Sequence, residues 1–171
     1  FFVQFLILKI LYDLGSCRYR YATVTDMTGD GHPELVLGGR INQEDTKYAL
    51  LDIWKVHNGK MNLISRYRFT GAGSTRLRVV EPLPKGFPGR LIIGGRQETL
   101  QNGRLKWKGF LQQVTFESGT LFPCSKPIIL DKDWETRVRT MDVYKNSLIT
   151  AGFTEDKTKA SAAFISVYPL K

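Results

Sequence analysis

Short apolar runs recur along the whole chain, each bounded by glycine, proline or polar turn residues, and none is long enough for a helix. Three of them, ELVLGGR (34–40), RLIIGGR (90–96) and SLITAGF (147–153), close on a pair of small residues. The first small residue of each pair falls at Gly38, Gly94 and Ala151, steps of 56 and 57 residues. Upstream of each stands a β-rich run ending in an acid: RYATVTD (20–26), TRLRVVE (75–81) and TRVRTMD (136–142). Downstream, ALLDIWKVHNGKM (49–61) matches GFLQQVTFESGTL (109–121), with a last echo in AAFISVYPLK (162–171). A unit is therefore an entry strand, a turn, a short apolar strand, a polar loop and a longer strand. After the turns Asn58-Gly59 and Ser118-Gly119 comes a fourth strand, MNLISRYRF (61–69) or TLFPCSKPIIL (120–130).

Four strands with turn signals, repeated at about this period, predict an all-β chain made of β-propeller blades. Continuous apolar strands suit sheets buried on both faces. The blades divide the chain at 16–73, 74–133 and 134–171, and the third stops after its third strand. The segment 1–15, opening FFVQFLILKI, is expected to be a strand that completes a blade. Lys9 and Asp13 interrupt it and it is too short to cross a bilayer, so no transmembrane segment is expected. Closed propellers have about four to eight blades. The three blades here are expected to be a piece of a six- to seven-bladed ring, or half of a strand-exchanged homodimer with six blades.

The first turn, DMTGDGHPE (26–34), alternates oxygen-bearing groups in the manner of a calcium loop. Asp26, Thr28, Asp30, the backbone carbonyl of His32 and Glu34 take the first, third, fifth, seventh and ninth positions, with Gly31 at the sixth for the sharp turn. Leu37 stands where an EF-hand needs its last glutamate, so the loop leads into a strand. A phosphate cradle is excluded, because neither a following helix nor a P-loop lysine is present. The competing reading is an Asx-type turn closed on itself. DMTGDGHPEL followed by VLGG resembles the FG-GAP/VCBS repeats of integrin-α-like propellers. That resemblance implies one calcium ion held by Asp26, Thr28, Asp30, His32 and Glu34. The motif occurs in one blade only: the second has EPLPKGFPGRL with Lys85 at a ligand position, and the third only DVYKNSL. Calcium there is expected to be structural and weak, about 0.1–1 mM as in extracellular modules. This is the one pointer towards an extracellular or cell-surface location.

Charge adds a second theme. A net charge of +9 over 171 residues surrounds the molecule with a positive field that suits acidic partners. Arg76, Arg78, Arg137 and Arg139 alternate along two entry strands, which in a propeller line the central channel. They are candidates for anion binding; the alternative is pairing with Glu81, Glu135 and Asp142. In RLKWKGF (104–110), basic residues alternate with Trp107, which is expected in the core between blades. Cys17 and Cys124 are expected to be free thiols. No catalytic motif stands out, which favours a non-catalytic interaction or scaffold module with a macromolecular partner. Two alternatives remain: a calcium-dependent, lyase-like enzyme acting on polysaccharide, and a module binding nucleic acid or another polyanion through channel arginines.

Overall fold

The computed structural model describes residues 17–69, 74–84, 89–130, 135–155 and 161–170, and every regular element in them is a β-strand. The strand expected over 1–15, and Lys85, lie outside the described residues. Three antiparallel sheets follow one another along the chain. Sheet 1 contains β1 (Cys17–Thr25), β2 (Glu34–Gln43), β3 (Thr46–His57) and β4 (Lys60–Phe69), hydrogen-bonded in that order. Sheet 2 contains β5 (Thr75–Pro82), β6 (Arg90–Gln101), β7 (Arg104–Glu117) and β8 (Thr120–Pro123), and β9 (Ile128–Leu130) also pairs with β7. Sheet 3 contains β10 (Glu135–Tyr144), β11 (Ser147–Glu155) and β12 (Ser161–Pro169). The single strand expected over 120–130 is thus two short ones, because Pro123 and Pro127 cannot donate to a ladder.

The hairpins turn where the sequence places glycine. Asn58-Gly59, Asn102-Gly103 and Ser118-Gly119 all have positive φ at both residues, the type I′ geometry that matches strand twist. Only glycine adopts it without a steric cost, and asparagine tolerates it best among the others.

The sheets stack face to face through their first strands, with β5 against both β1 and β10. One core lies between sheets 1 and 2, built from Val36, Leu51 and Ile53 on one side and Leu77, Val80 and Ile93 on the other. A second lies between sheets 2 and 3, where Val79, Ile92 and Leu111 meet Val138, Met141 and Leu148. The middle sheet is therefore buried on both faces. That is why LII reads as an unbroken apolar run: Leu91 and Ile93 face one neighbour and Ile92 the other.

Glycine sets the spacing of the stack. A Cβ at Gly38 would lie 2.7 Å from Val80 and 2.9 Å from Leu77; at Gly94 it would lie 2.8 Å from Met141 and 3.0 Å from Val138. The same two positions of the following sheet thus press on the first glycine of the preceding one. The second glycine has another task. Side chains at Gly39, Gly95 and Gly152 would run into the carbonyls of Arg18, Arg76 and Arg137 of the adjoining entry strand. Those carbonyls come close because each entry strand bulges at the same place. Pairing skips from Tyr19 to Tyr21, from Leu77 to Val79 and from Val138 to Thr140. The bulge lets Leu77 serve one core and Val79 the other, although they are two residues apart.

Gly94→Val is expected to destabilise the fold by about 2 kcal/mol or more, because the added methyls overpack a junction already at van der Waals contact. Urea unfolding of the variant beside the parent measures it; an unchanged midpoint would show that sheets 2 and 3 are less tightly apposed.

Candidate functional site

The loop Asp26–Glu34 closes on itself. Asp26 accepts the amides of Gly29 (2.7 Å) and Gly31 (2.9 Å), both glycines having positive φ. Glu34 is buried at the start of β2 and accepts the amides of Met27 (2.9 Å) and Thr28 (3.2 Å) on one oxygen and the Thr28 hydroxyl (3.3 Å) on the other. Asp30 accepts the His32 amide (2.9 Å) and an ion pair from Lys55 of β3. The Lys55 ammonium, helped by the His32 amide, holds the exposed Asp30 carboxyl down to about 2. The five residues expected as calcium ligands are therefore neighbours, and the Asp30, Glu34 and Asp26 carboxylates all act on the Lys55 ammonium. Among the described residues no three His, Cys, Asp or Glu side chains are grouped to hold a metal ion. In this arrangement the Lys55 ammonium stands where a cation would meet Asp30.

A second polar cluster, which the sequence reading did not single out, lies on the outer face of sheet 1. Asp52 is fully buried and holds Arg66 by two bonds, from Nε to Oδ1 (2.9 Å) and from Nη2 to Oδ2 (2.7 Å). The Tyr19 hydroxyl donates to the same Oδ2. Burial first, and then the Asp52 carboxylate, pushes the Tyr19 phenol well above its usual range. Tyr21, bonded to Glu81 (3.1 Å), is pushed up to about 12 by burial and then by Glu81. Alternation along β3 is the only sequence signal for this cluster: Asp52 stands alone within the apolar run ALLDI.

The arginines come together. Arg20, Arg78 and Arg139 are the three bulge residues, left out of strand pairing in their sheets. Two positions before each bulge stand Arg18, Arg76 and Arg137. Opposite these, on the second strand, sit Arg40, Arg96 and Phe153, paired directly with Arg18, Arg76 and Arg137. Two like-charged cross-strand pairs thus face each other, an arrangement that ordinarily destabilises a sheet. Burial pushes Arg78 and Arg96 down to about 10, and the neighbouring guanidinium groups add to it. For Arg78 these are Arg20, Arg139, Arg76 and Arg137, so groups from all three sheets share one region. Arg40 and Arg76 are lowered in the same way, with burial the largest cause in each.

Among the described residues, three carboxylates sit beside these eight guanidinium groups. Glu155 pairs with Arg137 (2.8 Å), Glu98 acts on Arg76 and Glu135 acts on Arg96. Of the acids expected as partners, Glu81 is engaged by Tyr21, and Asp142 accepts the amide of Val143 (2.8 Å). Aromatic rings support the cluster instead. Trp107 lies under Arg76 (4.9 Å) and Arg96 (4.3 Å), and Phe153 lies under Arg137 (5.3 Å) and Arg139 (4.8 Å). Trp107, expected between the blades, is half-buried beneath these charges, and neighbouring Lys108 is buried. The four arginines named from sequence belong to the cluster; Arg18, Arg20, Arg40 and Arg96 complete it. The recurring triplets RYR, RLR and RVR were the signal for the first two.

Comparison with known proteins yields no family model, curated protein or solved structure that matches the chain.

The raised phenols carry a sign. Their folded-state values lie above the unfolded value of about 10, so the stability they confer is present below pH 10 and is lost as pH climbs towards 12. In a spectrophotometric titration at about 295 nm, Tyr19→Phe and Tyr21→Phe are expected to leave the phenolate rise between about pH 9 and 11 unchanged. A smaller rise in either variant would mean that its hydroxyl ionises as a free tyrosine does.

Proposed function

We propose that the protein is a non-catalytic interaction module of the β-propeller kind, built from FG-GAP/VCBS-like blades, whose arginine-rich inner edge docks an acidic macromolecule. The observation that carries the reading is the gathering, among the described residues, of eight arginines against three carboxylates, an excess of five positive charges, on the first two strands of successive sheets. Support for blades comes from repetition: the strands of each sheet pair in chain order, with the same bulge and the same close approach at the second residue of the small pair. In a propeller the first strands line the central channel, so the bulge arginines would surround its mouth.

The ends of the stack support a larger ring. Phe164 and Tyr168 of β12 pack towards sheet 2, while Ile165 (77% exposed) and Val167 face away from it. An apolar hollow of about 380 Å3 lies between β9 and β12, lined by Ile128, Leu130 and Phe164 among others. Between sheets 1 and 2 the corresponding outer strands touch, with the Leu121 amide of β8 bonded to Ser65 of β4 (3.1 Å). A fourth strand beside β12, and a further blade on its outer face, would cover both features. A homodimer closing six blades is one way to supply them. Among the described residues no helix is long and apolar enough to cross a membrane.

Calcium at Asp26–Glu34 belongs to the same proposal as a weak structural occupant that competes with Lys55. Lys55→Met frees Asp30 and is expected to bind calcium more tightly than the parent in isothermal titration; heat absent from both proteins would make the loop a hydrogen-bonded turn alone.

Docking of acidic polymers is tested by fluorescence anisotropy with a labelled oligo-dT and with heparin as competitor. Binding is expected to weaken with salt at a logarithmic slope of about −3 to −4 for five neutralised phosphates on a single strand. Replacing Arg20, Arg78 and Arg139 together by glutamine is expected to reduce it further. If neither polymer nor any other polyanion binds at about 50 mM salt, where such contacts are strong, the reading falls.

A further inference from the structure

Resting on that reading, four arginines of the cluster define what kind of anion it takes. Arg40, Arg76, Arg96 and Arg137 each have an Nε buried without a hydrogen-bond partner among the described residues. They form a file across both sheet junctions: the charge of Arg76 acts on Arg40, Arg96 pairs across the ladder with Arg76, and Arg137 acts on Arg96. Arg96 is the most enclosed, only 7% exposed. A buried guanidinium N–H without an acceptor is costly to keep, and here the cost recurs at equivalent places in successive sheets. Salt-bridge structure does not account for it, since among the described residues only Arg137 of the four has an ion pair, through Nη2 to Glu155.

The aromatic rings decide between classes of polyanion. Trp107 is covered by Arg76 and Arg96, and Phe153 by Arg137 and Arg139. A ring occupied by guanidinium groups does not offer that face to a nucleic-acid base. Stacking engages the flat face of a guanidinium and leaves its N–H groups in the plane, where they fork onto tetrahedral oxyanions. We infer that the file Arg40–Arg76–Arg96–Arg137 is a binding site for a linear chain of phosphate oxyanions without bases, an inorganic polyphosphate, whose successive phosphates accept from successive arginines. Glu98 and Glu135, beside Arg76 and Arg96, limit the charge that a bare protein must carry and would lie at the edge of the bound chain.

The test is titration calorimetry with tripolyphosphate, with inorganic phosphate, heparin and oligo-dT as comparison arms, on the parent and on Arg76→Gln, Arg96→Met and Lys60→Gln. Lys60 is exposed in the β3–β4 hairpin, at the end of sheet 1 away from Arg40. Tripolyphosphate is expected to bind more tightly than phosphate. Arg76→Gln and Arg96→Met should each weaken it about tenfold or more, the share of one charge-assisted hydrogen bond, with Lys60→Gln unchanged. Arg96→Met is also expected to melt about 2–4 °C higher than the parent, since a buried charge without a partner is replaced by an apolar chain. If that variant does not fold, Arg76→Gln and Arg40→Gln carry the affinity test. The inference is overturned if tripolyphosphate fails to bind while heparin or oligo-dT does, if Lys60→Gln loses as much as the arginine variants, or if oligo-dT binds more tightly than base-free polyphosphate of equal charge. Failure of every polyanion would overturn the docking function itself.

Discussion

The close approach of neighbouring sheets across a glycine is the contact on which the rest of this structure depends. At Gly38 and Gly94 the second strand of one sheet meets the first strand of the next with no room for a side chain. Because those contacts fall on equivalent residues, the sheets repeat with one geometry, and whatever the first strands carry is repeated with them. They carry arginine. Apolar packing at the junctions thereby determines where the positive charge collects, although none of it is electrostatic in origin.

The charge works against the packing that positions it. Like charges are paired directly across two ladders, and burial deepens the penalty at Arg78 and Arg96. Three glutamates and two aromatic rings offset part of it. In the proposed reading, a bound polyanion supplies the missing partners. The Tyr19–Asp52–Arg66 cluster shows the contrasting case. There one buried carboxylate is satisfied by a two-bond guanidinium and a phenol.

The loop from Asp26 to Glu34 illustrates how one pattern serves two chemistries. Oxygen at alternate positions is what a hard cation needs, and it is also what a turn needs to satisfy its own amides. Lys55 reaches in from β3 and pairs with Asp30, the group a cation would compete for. Nothing in the spacing of DMTGDGHPE foretells a lysine 25 residues further on.

Much of the architecture was legible in the sequence because strand period, turn chemistry and repeat length are local properties. The all-β class, the positions of most strands, the Asn58-Gly59 and Ser118-Gly119 hairpins and the two-sided burial of LII all follow from them. The arginines at 76, 78, 137 and 139 were legible as candidates, since they alternate on recognisable entry strands. Their companions were not, because membership depends on cross-strand register and on the bulges, which are set by contacts between residues far apart in the chain. Arg96 follows an apolar run like many surface arginines; only its pairing with Arg76 and its stacking with Trp107 set it apart, as the most buried guanidinium of the group. The sequence by itself determined the repeat and its strands, through periodicity acting over a few residues. Tertiary structure alone decided which charges meet, because that depends on how closely glycine lets one sheet approach the next.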